Sequence, residues 1–383
     1  MERVDAVVVG AGVIGAACAE ALSAAGLRVT VLDRGPLASA TTASGEGNVL
    51  VSDKEPGPEL ALAQASRRWL PDLLAGLAEE LGPRLSEVEW QPKGGLVVAT
   101  AEESAGPLLE FAAEQRAAGV RADRISPERA RELEPLLTDR VAAAVHYPDD
   151  AQVQPVLLAT TLLAAVEQRG GQLLPGVTAT GLRPGELLTD RGPIPCELVV
   201  NACGPWAGEF AARCGAPITV LPRRGVVLVT APLPEVVRHK VYDADYVGAV
   251  ASGDADLQTS TVVESTPGGT VLIGSSRQRI GFDDSLQVHV LRELARKAIA
   301  LFPFLHGVPV MRAYGGFRPY TPDHLPVIGP DPRVPGLWHA TGHEGAGIGL
   351  AAATGRLLAE LATGRPPHVD PIPFRVDRPG VAA

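Results

Sequence analysis

Gly10, Gly12 and Gly15 stand in the spacing G-x-G-x-x-G directly after the apolar run VDAVVV, residues 4–9. Glycine at the first position permits a tight turn off a strand. At the second it lets a pyrophosphate approach the backbone, and at the third it lets a helix press against the strand. A helix that starts here points free N–H groups and its positive dipole end at phosphate oxygens. Asp33 follows 33 − 15 = 18 residues after the last glycine, at the end of a second apolar run. A carboxylate in that place accepts both hydroxyls of a ribose. The ligand these residues suit is a dinucleotide, and the spacing alone does not separate a nicotinamide from a flavin.

Positioning these groups takes a βαβ unit: a strand over 4–9, a helix over about 13–25 and a strand over 28–32. Ala19 and Leu22 fall on the packing face of the helix and Gly26 at its end. The stretch is not read as a membrane span, because Glu20, Ser23, Arg28 and four glycines interrupt it. Nor does it have the basic head and small-residue cleavage site of a signal peptide.

Two further segments carry backbone suited to a large anionic ligand. LASATTASGEGNV, residues 37–49, is small and hydroxyl-rich. By itself it reads either as a solvated loop or as backbone and hydroxyls reaching past the ribose acid. A helix over about 58–81 leads the chain away from it. Near the other end, a short strand over 337–340 runs into Gly342, Gly345, Gly347 and Gly349, and a helix continues to 361. That turn either serves close packing or presents a positive helix end to negative charge on a reduced ring.

Composition narrows the partners. The 383 residues are 46% hydrophobic and 20% charged, enough for a large core and two domains. The formal charge of −10 disfavours nucleic acid and anionic lipid. Four cysteines without a C-x-x-C pair read as small core residues in a reducing cytoplasm, the expected location, and no metal site is expected.

Five blocks, in order along nearly the whole chain, resemble the FAD-dependent D-amino-acid oxidase family, in the branch of glycine oxidase, sarcosine oxidase, D-hydroxyproline dehydrogenase and opine oxidase flavin subunits. They are VVVGAGVIGAACAEAL (7–22), TTASGEGN (41–48), LVVNACGPWA (198–207), GGFRPYTPDHLPVIG (315–329) and TGHEGAGIGLAAATG (341–355). The resemblance implies an α/β fold. A Rossmann-like FAD-binding domain of the GR2 type (1–85, 145–215 and 325–375) would be joined by a second α+β domain (86–144 and 216–324) with a mainly antiparallel sheet. Non-covalent FAD would be held by Gly10, Ala11, Gly12, Val13, Ile14, Gly15, Asp33 and Arg34, with Thr41, Thr42, Ala43, Ser44 and Gly47 along the pyrophosphate and ring. Val177 would meet adenine by its backbone. Asn201, Ala202, Gly204 and Trp206 would close the site, and Gly342, Glu344, Gly345, Ala346, Gly347, Ile348 and Gly349 would lie along the ring. Asp33 replaces the family's commoner Glu, and Gly316 stands where some sarcosine oxidases carry a flavin-linked cysteine.

On the substrate side, 218–280 reads as a meander of antiparallel strands, with added strands near 88–99 and 141–147. Arg318, in GFRP, matches the family's carboxylate-anchoring arginine, and a guanidinium fork suits that task. Tyr246 is a second carboxylate contact or a packing residue. Arg277 either recognises another acidic group or pairs with Asp283 or Asp284. His343 and Glu344 tune the ring or touch substrate. The implied reaction oxidises the C–N bond of an amino acid or secondary amine carboxylate to an imine by hydride transfer to flavin N5. The electron acceptor is oxygen, a quinone or an iron–sulfur partner subunit, and an oligomer is compatible. The alternative is a non-catalytic or electron-transfer flavoprotein subunit of a larger amine dehydrogenase complex.

Overall fold

The computed structural model describes residues 3–245 and 256–382. Among these residues two eight-stranded sheets dominate. In the first, the order is β17 (Val327–Pro330), β18 (Leu337–Thr341), β11 (Ile194–Asn201), β1 (Val4–Val9), β2 (Val29–Asp33) and β8 (Gln172–Pro175). β9 (Ala179–Arg183) and β10 (Glu186–Thr189) form a hairpin that joins it through β11. β1 is parallel to both β2 and β11, and β11 is parallel to β18, so three strands end side by side at Val9, Asn201 and Thr341. Ligands of parallel α/β sheets bind beyond such strand ends, where loops and helix N-termini gather.

Three helices cover this sheet's strand-crossing face: α1 (Val13–Ala24), α4 (Pro155–Gln168) and α6 (Gly347–Ala362), with α2 (Pro58–Leu81) packed outside α6. α1 follows the expected span to within a residue, and Ala19 and Leu22 are fully buried. α1 and α6 cross at backbone contact. A β-carbon on Gly355 would lie 2.6 Å from the Ala17 carbonyl carbon. That approach, open only to glycine, brings both helix N-termini to the same end of the sheet.

The second sheet runs β16 (Val310–Tyr320), β12 (Leu221–Thr230), β15 (Val271–Arg277), β14 (Gln258–Ser265), β13 (Lys240–Asp243), β4 (Gly95–Ala99), β6 (Ala143–Tyr147) and β5 (Asp123–Ile125). Its pairing is antiparallel apart from β13 against β4. The period of two divides β12 between two environments: Val226 and Leu228 pack under α5 (Val288–Leu301), while Gly225 and Val227 face a cavity beneath the sheet. A short ribbon of β3 (Asn48–Val49) and β7 (Ala151–Gln152) links the two halves. β6 spans the division expected at 144/145, since Ala143–Tyr147 pairs along its whole length with β4, and the chain leaves this sheet only after Tyr147. α3 (Glu102–Ala117) lies over β4 and β6.

Candidate active site

A deep cavity lies between the ends of β1, β2 and β11 and the underside of the second sheet. Its floor at one end is the Gly10 turn. Gly10 has φ of +108°, and a β-carbon there would strike the Ala202 carbonyl, so this backbone is open to glycine alone. Gly12 lines the cavity below Thr42, whose hydroxyl accepts the Val13 N–H at 2.9 Å and fastens the 41–48 loop to the start of α1. Gly15 is out of the lining, and a β-carbon there would meet the Gly10 carbonyl. Its role is the helix–strand approach.

Asp33 faces the cavity and accepts two backbone N–H groups, from Ala11 at 2.9 Å and from Gly35 at 2.8 Å. A carboxylate has about four acceptor positions, so two are left for ribose hydroxyls. Ala11 itself is buried behind the lining. Val177 lies beside Asp33, but its N–H donates to the Asp33 carbonyl, which leaves its own carbonyl for any ligand contact. Arg34 stacks its guanidinium over Trp206, 4.4 Å from the ring centroid, and Trp206 in turn stacks on Phe282. Asn201 is buried outside the lining. Its amide donates to the Ala207 carbonyl and its oxygen accepts the Cys203 N–H, so it shapes the 202–207 turn that presents Ala202, Gly204 and Trp206.

At the other end the 41–48 loop meets the start of α6. A β-carbon on Gly45 would lie 2.8 Å from the Ile348 side chain, and one on Gly349 would lie 3.2 Å from the Asn48 carbonyl. Thr41, Thr42, Ser44, Glu344, Gly345, Gly347 and Ile348 line the cavity here, while Ala43, Gly47, Gly342, Ala346 and Gly349 shape the loops behind them. The positive end of the 16-residue helix α6 therefore faces the cavity through Gly347 and Ile348. His343 is buried, bonds Thr354 through Nε2, and is held neutral, its pKa pulled down to about 3 by burial. The Cys203 thiol is pushed up by burial and is no nucleophile.

The roof comes from β12, β15 and β16. Arg318 lies across Gly225 on the neighbouring strand and beside Gly345, whose β-carbon would stand 3.3 Å from Arg318 Nε. Its Nη1 donates to the Ser276 carbonyl at 2.8 Å. The guanidinium is thus fixed between sheet and glycine turn. Arg277 also lines the cavity, buried, with Nη1 near the Ser260 and Ser275 hydroxyls. Asp284 is reached through its carbonyl by Arg224, on the opposite face of β12. Tyr246 lies outside the described residues. Gly316 carries no thiol, and a β-carbon there would be 2.5 Å from Ser44 Cβ, so no side chain has room.

Sequence reading missed the ionic group behind the glycine turn. Arg223, 1% exposed, donates to Glu344 Oε1 and to Gln258, while His324 Nδ1 lies 2.9 Å from Glu344 Oε2. Burial opposes ionisation of Glu344, but the His324 hydrogen bond and the Arg223 and Arg277 charges outweigh it and hold the carboxyl at about 2. Glu344→Gln leaves a buried guanidinium without its counter-charge and is expected to cost about 3 kcal/mol in urea unfolding. Because the folded pKa is depressed, that difference is full above the ordinary carboxyl value of 4.5 and vanishes as pH falls toward 2. Equal unfolding midpoints at pH 7 would contradict it.

The residues fit a flavin dinucleotide: a phosphate turn and ribose acid at one end, a second glycine turn with a helix N-terminus at the other. The profile of the DAO family, FAD-dependent oxidoreductases, matches residues 5–361. The chain belongs to the DAO family. Within that family it is 30% identical to glycine oxidase of Geobacillus kaustophilus, covering 98% of this chain and 97% of that one. It is 32% identical to glycine oxidase of Pseudomonas aeruginosa, covering 97% and 98%. The crystal structure of the Geobacillus kaustophilus glycine oxidase superposes with a TM-score of 0.89 at 28% identity, over 99% of each chain. The cofactor of this DAO-family chain is therefore FAD. Among the described residues no helix is long and apolar enough to cross a membrane, and no cluster of side chains suits a metal ion.

Proposed function

We propose that this chain oxidises the C–N bond of an amino acid, or of a secondary amine bearing a carboxylate, to an imine that water then hydrolyses. The observation that carries this reading is Arg318, a guanidinium braced by Gly225, Gly345 and the Ser276 carbonyl on the cavity wall. Bound FAD supplies the two-electron oxidant. Arg318 receives the substrate carboxylate and orients the rest of the molecule, while Val227 and Phe317 line the cavity and keep water from the reacting carbon. The start of α6 gives the cavity a fixed positive end that suits negative charge arriving on the cofactor. Arg318 and Arg277 together in the cavity roof fit a carboxylate substrate better than an uncharged amine. Glycine oxidases matched end to end support small amino acids as the substrate class and molecular oxygen as the acceptor.

Anaerobic mixing of the FAD-loaded protein with D- and L-amino acids, N-methyl amino acids, D-hydroxyproline and opines tests this. At least one is expected to bleach the flavin absorbance within the mixing experiment, and admitted air to restore it. A flavin that none of them bleaches would instead mark a non-catalytic flavoprotein subunit.

A further inference from the structure

The 41–48 loop carries one carboxylate, Glu46, and it points into the cavity that holds Arg318, Arg277 and Asn48. Glu46 is 9% exposed, and its buried Oε1 has no hydrogen-bond partner among the described residues. The sheet above makes room for it: a β-carbon on Gly274 would lie 2.9 Å from the carboxyl carbon of Glu46. Asn48 hydrogen-bonds the carboxyl, yet a buried carboxylate oxygen left without a donor is costly and is retained where a ligand completes it.

The charged groups around it come from every packed element. Lys240 of β13, Arg277 of β15 and Arg318 of β16 all favour its ionised form. Lys240 is itself in contact with Glu264 of β14, and Tyr314 of β16 lies close enough to feel the Glu46 charge. Burial is the larger effect and raises the Glu46 carboxyl above its ordinary range.

We propose that Glu46 receives the substrate's ammonium group and takes a proton from it, so that the site reads a zwitterion through a carboxylate and a guanidinium on two walls of one cavity. This rests on the amine-oxidising reading above. An ammonium N–H bond breaks and its proton goes to Glu46 Oε1. The freed nitrogen lone pair then forms the C=N bond as the Cα–H bond breaks, its electron pair and hydrogen passing to FAD. The amine is oxidised by two electrons and FAD reduced by two. An α-hydroxy acid of the same shape has no cation to offer and leaves Glu46 uncompensated, which sets amines apart from alcohols at this site.

The test compares FAD-loaded wild type, Glu46→Gln and Glu46→Asp by anaerobic stopped flow, using an amino acid that bleaches the wild-type flavin. Glu46→Gln is expected to lower the second-order reduction rate at pH 7 by about 10²-fold. The deficit should shrink as pH approaches the substrate ammonium's own pKa, where the neutral amine arrives ready-made. Glu46→Asp should recover part of the rate with the wild-type pH profile. Propionate, a carboxylate without an amine, should bind Glu46→Gln at least as tightly as wild type by its perturbation of the flavin spectrum. Equal rates in wild type and Glu46→Gln across pH would overturn the proposal. So would loss of propionate and amino acid binding together, or loss of FAD, since either makes Glu46 a structural counter-ion. A wild-type flavin that no amino acid reduces removes the parent reading first, and this one with it.

Discussion

Arg318→Ala is expected to lower kcat/KM for amino-acid substrates by about 10²- to 10³-fold, with most of the change in KM and the flavin spectrum intact. A desolvated guanidinium–carboxylate pair contributes about 2–5 kcal/mol when one partner is truncated, and each 1.4 kcal/mol is tenfold. The fork is held from both sides here, by Gly225 and Gly345, so a substrate does not have to order it first. Arg318→Lys should recover little, because an ammonium is a point charge that cannot match a carboxylate in two places. Steady-state kinetics on both variants, with a thermal melt to register loss of the Ser276 contact, decide the matter. An unchanged KM would remove Arg318 from substrate binding.

Gly15→Val should yield a colourless protein, with FAD affinity reduced by at least about 10²-fold. A side chain at residue 15 meets backbone, the Gly10 carbonyl carbon at 3.0 Å, and the Ala202 β-carbon at 3.3 Å. Neither can swing aside, so α1 must lift off β1 and carry its N-terminal N–H groups away from the phosphates. Gly76→Ala is the matched control. It lies inside α2 with nothing within 4 Å of its β-carbon, and replacing it should leave flavin content unchanged and raise stability by up to about 1 kcal/mol. The flavin-to-protein absorbance ratio of the purified proteins reads both. A yellow Gly15→Val protein would mean that close helix–strand approach is not what holds the cofactor.

The nucleotide half was legible because its determinants are local. Gly10, Gly12, Gly15 and Asp33 belong to one βαβ unit, and α2 spans the residues expected for it, Pro58–Leu81. Strand β16 was harder to read, although it carries Arg318. Its run VMRAYGGFRPY contains two glycines and a proline, and it pairs as a strand because β12 supplies a partner along ten residues. The group of Arg223, Glu344 and His324 left no sequence signal, since Arg223 and Glu344 are 121 residues apart and meet only when the second sheet closes over the glycine turn. Glu46 did carry a signal: it is the one carboxylate in a block of small and hydroxyl residues. What the sequence withholds is its burial, which depends on Gly274 from a distant strand.

The most direct test of the account is a crystal structure of the FAD-loaded protein soaked in propionate. The isoalloxazine ring is expected between the 41–48 loop and the 342–347 turn, with the propionate carboxylate on the Arg318 guanidinium. A ring lodged elsewhere, or a carboxylate bound without Arg318, would contradict it.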